Sequence, residues 1–201
     1  MIESFREYPA LWLLTLVLLV VAIVLFVFAS KRKKTRSDSP EEVLSGKDIE
    51  RLRQAFSSLN EEKLSGVHGK ELIYAIITNI EEKLEKGADF DSFTTGQKYV
   101  YTLWYFAQCI TGRTMCIFFQ EYGSPLTDLI VPAMKAAGRE DWAKMIQDGY
   151  DAYDVKNEQA SCDQKTVDAI NETFKMNYTR SEFYDACESY IRTVIGDFVD
   201  E

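Results

Sequence analysis

The chain has 201 residues, 46% of them hydrophobic and 13% aromatic, which is too apolar for a disordered protein and sufficient for one domain with its own core. Its formal net charge is −9, but residues 1–36 sum to +4, so residues 37–201 carry −13. A domain this acidic repels nucleic acid and anionic lipid and attracts cationic partners, so direct nucleic-acid binding is not expected.

In chain order, residues 1–9 read as a short extracytoplasmic N-terminus and residues 10–30 as a transmembrane helix. The stretch from Leu11 to Ala29, LWLLTLVLLVVAIVLFVFA, is uncharged and has only Thr15 as a polar residue. As a helix it spans about 28 Å, close to the hydrocarbon layer of a bilayer. Trp12 sits where an interfacial aromatic belongs. Lys31, Arg32, Lys33 and Lys34 follow at once. Positive charge stays inside, which predicts a single-pass protein of the bacterial inner (cytoplasmic) membrane with its N-terminus outside and its C-terminal domain cytoplasmic. A cleaved signal peptide would need its basic residues before the apolar run and a shorter run. Residues 31–46 read as a linker, basic and then acidic, whose basic half also suits anionic headgroups.

Residues 47–201 show helical periodicity and no convincing strand pair. The fold class expected is therefore all-α: an N-terminal transmembrane helix followed by a compact multi-helix domain. Leu72, Ile73, Ile76, Ile77, Ile80 and Leu84 recur at helical spacing, as do Phe183, Cys187, Tyr190, Ile191, Val194, Ile195 and Phe198. Thr94 with Gln97, Ser161 with Gln164, and Thr179 with Glu182 fit capping boxes. Ser124 before Pro125 fits an N-cap with proline at the first helical position, while Gly87, Gly123 and Gly138 fit helix stops. The helices predicted cover roughly 47–59, 68–86, 95–110, 114–122, 125–137, 139–154, 163–175 and 180–198.

No phosphate-binding, dinucleotide, zinc-protease or serine-hydrolase motif occurs, and no cofactor or metal is expected. The four cysteines form no CxxC pair, and His68 is the only histidine. Cys109 and Cys116 read as small buried hydrophobes. His68 reads as an exposed residue at a helix start. Asp148, Asp151 and Asp154 recur every three residues, which makes a carboxylate stripe on one helix face rather than an EF-hand loop. Such a stripe is ordinary solvated surface or, more pointedly, a row of anionic charge offered to a basic partner.

From Thr94 the chain reads TTGQKYVYTLWYFAQCITGRTMCIFFQEYGSPLTDLIVPAMKAAGREDWAKMIQDGYDAY. This resembles the bacterial DNA-mimic protein family: a T-x-G-Q start, an aromatic Y-x-L-W helix, a short link, F-F, and an alanine-rich helix ending near Ala-Gly. The closing helices of the family resemble VDAINETFKMNYTRSEFYDACESYIRTVIGDF, so the likeness covers about Thr94–Phe198. It implies an all-helical fold, a homodimer in many members and, in the named members, an acidic surface that imitates the DNA backbone and occupies DNA-binding regulators. One departure stands out. Cys109 takes a position that is acidic in relatives, and Thr111, Gly112, Arg113, Thr114 and Met115 replace their polar glycine turn.

The function expected is a membrane-tethered acidic interaction module that binds a protein partner, a basic or DNA-binding regulator foremost. Its partner-binding residues would be Asp148, Asp151, Asp154, Glu121 and Arg113, and residues 10–30 would contact the lipid bilayer. One alternative is an enzyme that uses carboxylates such as Glu121 in an aromatic pocket with Trp104 and Tyr105. Another is an inhibitor or immunity-type module that neutralises a partner protein by the same charge logic.

Overall fold

A computed structural model describes residues 51, 53–153 and 163–200. All regular structure among them is helical: α1 (Glu61–Ser65), α2 (Gly69–Glu85), α3 (Thr95–Gly112), α4 (Met115–Ala136), α5 (Glu140–Tyr153), α6 (Gln164–Asn177) and α7 (Arg180–Thr193). Short 3-10 turns occupy Phe90–Ser92 and Ile195–Phe198. The helices belong to one compact unit, Gly46–Glu201.

The apolar stripes read from the sequence form the core. α2 buries Leu72, Ile73, Ile76, Ile77 and Ile80, and α7 buries Phe183, Cys187, Tyr190 and Ile191. α2 packs on α3 and α7, while α3, α4, α5 and α6 pack in sequence, each on the next. The centre holds Phe106, whose ring meets Phe118 edge-on at 5.2 Å and Phe174 at 5.6 Å. Three helices are thus joined by one side chain. Cys109, Cys116 and Cys187 are buried within this packing, as expected of small hydrophobes.

Two start signals hold. The hydroxyl of Thr94 accepts from the Gln97 amide at 3.2 Å, and the Gln97 side chain accepts from the Thr94 amide at 3.0 Å. Thr179 caps α7 by accepting from the Glu182 amide at 3.3 Å, but the Glu182 carboxylate accepts from Arg139 rather than completing a capping box. The third signal is displaced. The N-cap of α6 is Asp163, which accepts from the Thr166 amide at 3.1 Å, while Ser161 lies outside the described residues. The first expected helix, 47–59, is also corrected. Its residues 47–50 lie outside the described part, helix ends by residue 55, and a separate short helix, α1, follows behind the Asn60 cap. The expected pair 114–122 and 125–137 holds: α4 consists of two helical stretches that meet at a kink at Gly123 (φ 50°, ψ −159°) and Ser124 (φ −71°, ψ 140°). Only glycine takes that first conformation without strain, so the reading of a stop followed by a restart survives as a break within α4.

The transmembrane part of the expected fold class is corrected. Among the described residues, no helix is long and apolar enough to cross a membrane. The two longest, α3 and α4, carry charged or amide side chains such as Lys98, Gln108, Glu121, Asp128 and Lys135, and bury their apolar faces in the core. The segment on which the membrane reading rested, residues 10–30 with Trp12 and the flanking Lys31, Arg32, Lys33 and Lys34, lies outside the described residues. The assignment to the bacterial inner membrane with an outward N-terminus falls with it.

Candidate functional site

Tyr101, Tyr105, Cys109 and Arg113 follow one another at intervals of four along α3 and its C-cap, so they run along one stripe of the helix. The aromatic members are in contact. Phe90 meets Tyr101 at 5.5 Å between ring centroids, Tyr101 meets Tyr105 at 4.6 Å, and Tyr105 meets Tyr122 of α4 at 5.2 Å. All four rings are half-buried, with one side against the core.

Carboxylates flank this strip. The Tyr105 hydroxyl donates to Glu81 Oε1 of α2 at 2.9 Å. Burial raises the Tyr105 pKa well above the ordinary phenol value, and hydrogen bonding with Tyr101 and the Glu81 charge raise it further. The phenol is therefore a neutral donor. At the other end, Arg113 Nη1 donates to Glu121 Oε1 at 2.6 Å, with both side chains about half exposed. Between the two ends, the half-buried Tyr122 ring stands beside the buried Cys109. Burial and then the Glu121 charge push the Cys109 thiol up, against the opposing pulls of Tyr122 and Arg113. Cys109 is buried and packs in the core as a small hydrophobe.

The second acidic surface lies on α5. Asp148 accepts from Lys144 Nζ at 2.7 Å, and Asp151 accepts from the Gln147 amide at 2.8 Å. Both carboxylates face solvent, but each already has a partner one turn earlier on its own helix. Asp154 lies outside the described residues. Tyr153 is buried and Tyr150 is half-buried against Phe119, so the rings turn away from the carboxylate row as the spacing predicts. An open groove beside the row is lined by Met145, Asp148, Asp163, Lys165, Ile170 and Thr173. On α4, Asp128 accepts from Ser124 at 2.7 Å and from the Tyr150 hydroxyl at 3.5 Å.

Of the predicted partner residues, Arg113 and Glu121 are brought together as an ion pair, while Asp148 and Asp151 occupy a different helix. Glu81, which reads in the sequence as part of an ordinary exposed acidic helix end, was not among the predicted partner residues, and neither were Tyr101 and Tyr122. The four-residue spacing of Tyr101, Tyr105, Cys109 and Arg113 was visible there, but the contacts with Glu81 and Glu121 join residues far apart in the chain.

Other acidic groups are structural. Asp197 accepts from the Gly96 amide at 2.8 Å and holds the start of α3. Asp200 accepts from the Leu59 amide at 2.6 Å and pairs with Lys83 at 2.5 Å. Glu188 accepts from the Gly69 amide at 2.5 Å, from Arg192 at 3.0 Å, and lies 2.8 Å from His68 Nδ1. His68 is exposed at the start of α2, as expected. Arg139 stacks over Trp142 at 3.2 Å from the ring centroid and binds Asp141 at 3.0 and 2.8 Å and Glu182 at 3.2 Å.

No curated protein and no solved structure matches the chain. Residues 91–200 match the family model described as DMP19-like protein, from the turn before α3 to the segment after α7. That match spans more than half of the chain and contains the whole aromatic strip except Glu81 and Phe90, and on it the chain belongs to the DMP19-like protein family.

Proposed function

We propose that this protein is an acidic helical interaction module whose partner is a basic, DNA-binding protein, and that it occupies that partner in place of DNA. The observation that carries the reading is the charge of −13 over residues 37–201. The described part of that stretch presents exposed carboxylates on its helices, among them Glu121, Asp148 and Asp151. Carboxylates held at fixed spacing attract cations as a row of phosphates does, and such attraction is steep in salt. Membership of the DMP19-like family supports the same reading. The inhibitor or immunity-type alternative uses the same charge logic with a different partner.

The test is competition. A DNA-binding protein captured by the full chain from cell extract is released by duplex DNA and by moderate salt. A captured partner that withstands both would sink the reading. No observation favours the carboxylate enzyme: Trp104 is buried against Tyr74, the Tyr105 hydroxyl is taken by Glu81, and Glu121 is exposed beside Arg113.

A further inference from the structure

The aromatic strip on α3 has a composition that the acidic stripe on α5 lacks. It sets half-buried tyrosine rings in contact, with Glu81 at one flank and Glu121 at the far end. A guanidinium is the cation that uses both parts, because it stacks flat on an aromatic face and forms paired bonds to a carboxylate. An ammonium gains less from the rings and presents no planar fork. From Tyr101 to Arg113 the stripe runs about 18 Å along the helix, the reach of five or six extended residues.

Arg113 already occupies the carboxylate at the end of the strip, through one N–H···O bond rather than a paired one. Its guanidinium sits 2.6 Å from Glu121 at the end of the strip, and it remains 58% exposed.

Resting on the proposed function for the nature of the partner, we propose that the Tyr101–Tyr105–Tyr122 strip with Glu81 and Glu121 docks an arginine-bearing basic segment of the partner protein, and that Arg113 is an internal competitor holding Glu121 until a partner arginine displaces it. Arg113 then sets the affinity of the face. The ion pair is solvent-exposed, so its displacement is easy and its effect modest.

The experiment titrates the full chain with fluorescent nona-arginine and nona-lysine peptides at low salt. Nona-arginine binds several-fold tighter than nona-lysine. Arg113→Ala tightens nona-arginine by about twofold to fivefold, the range set by an exposed ion pair. Glu121→Gln, at an exposed site, weakens it without altering the melting temperature, and Tyr105→Leu weakens it further in protein shown by circular dichroism to be folded. Lys144→Ala removes the same charge from Asp148 on α5 and serves as the control. Equal tightening by Arg113→Ala and Lys144→Ala would assign the effect to the overall field, overturning this face while leaving the interaction module intact. Binding lost in Asp148→Asn/Asp151→Asn but kept in Glu121→Gln would overturn it in favour of α5. Absence of any nona-arginine binding would overturn it as well, whereas the interaction module stands or falls on competition by DNA.

Discussion

Gly96 shows what one residue of the T-x-G-Q start is for. A Cβ built there would lie 2.7 Å from Asp197 Oδ2 and 2.8 Å from Asp197 Cβ, while the Gly96 amide donates to that same carboxylate. The glycine lets the C-terminal 3-10 turn approach the first turn of α3, where a carboxylate also complements the helix dipole. Gly96→Ala is expected to cost about 1–3 kcal/mol, as overpacking does, read as a fall in urea midpoint. Combined with Asp197→Ala, its added cost should shrink, because the clashing group is gone; strict additivity in that double-mutant cycle would refute the account. Arg113→Ala, by contrast, should change stability by less than about 1 kcal/mol, since its partner is exposed. The capping pair Thr94 and Gln97 was legible in the sequence because both partners lie within one turn. The purpose of Gly96 was not, because Asp197 is 101 residues away.

At the scale of elements, carboxylates join helix ends that the chain keeps apart. Burial alone would raise the pKa of Glu188, but the Gly69 amide, His68 and Arg192 outweigh it and leave the group lowered. Asp200 is lowered likewise, burial being outweighed by Lys83, the Leu59 amide and Asn79. Asp141 is lowered chiefly by hydrogen bonds from Arg139. Each group binds its proton less readily when folded than when unfolded. The stability it contributes is therefore present above the ordinary carboxylate range, near pH 4 to 4.5, and is lost as pH falls through the lowered folded values. Urea midpoints should be flat near neutrality and fall steeply below about pH 4. Glu188→Gln should lower stability at pH 7 by about 1–3 kcal/mol, the scale of hydrogen bonds to a charged group, and should make the acid fall shallower. An unchanged acid limb in that variant would assign the fall to other groups. Gly123→Ala should destabilise by about 1–3 kcal/mol, because the break in α4 needs a positive φ there.

For the molecule as a whole, the balance of charge decides. Residues 37–201 carry a net −13, the excess of carboxylates that remains after every cation, including those of the pairs Lys144–Asp148 and Lys86–Glu82, has been counted. Self-repulsion of this kind weakens as salt screens it. The melting temperature at neutral pH should therefore rise by a few degrees from about 10 mM to about 0.3 M salt. A falling melting temperature would mean that attractive pairs outweigh the repulsion. The same screening should weaken capture of a basic partner, so stability and binding are expected to move in opposite directions with salt.

The sequence by itself determined the all-helical class, the apolar faces of α2 and α7, the break at Gly123–Ser124 and the acidity of the domain. These properties follow from spacing and composition within a few turns of chain, which is the range over which helical periodicity and capping act. Its membrane reading concerned residues outside the described structure and gained no helix within it. Only the tertiary structure decided which carboxylates bear load, as Asp197, Asp200 and Glu188 do, and which are left at the surface. It alone set Tyr105 against Glu81, 24 residues away, and closed Arg113 onto Glu121 across the α3–α4 turn. The physical reason is that a carboxylate's role depends on what the packed helices bring within 3 Å of it, and local sequence carries no record of that distance.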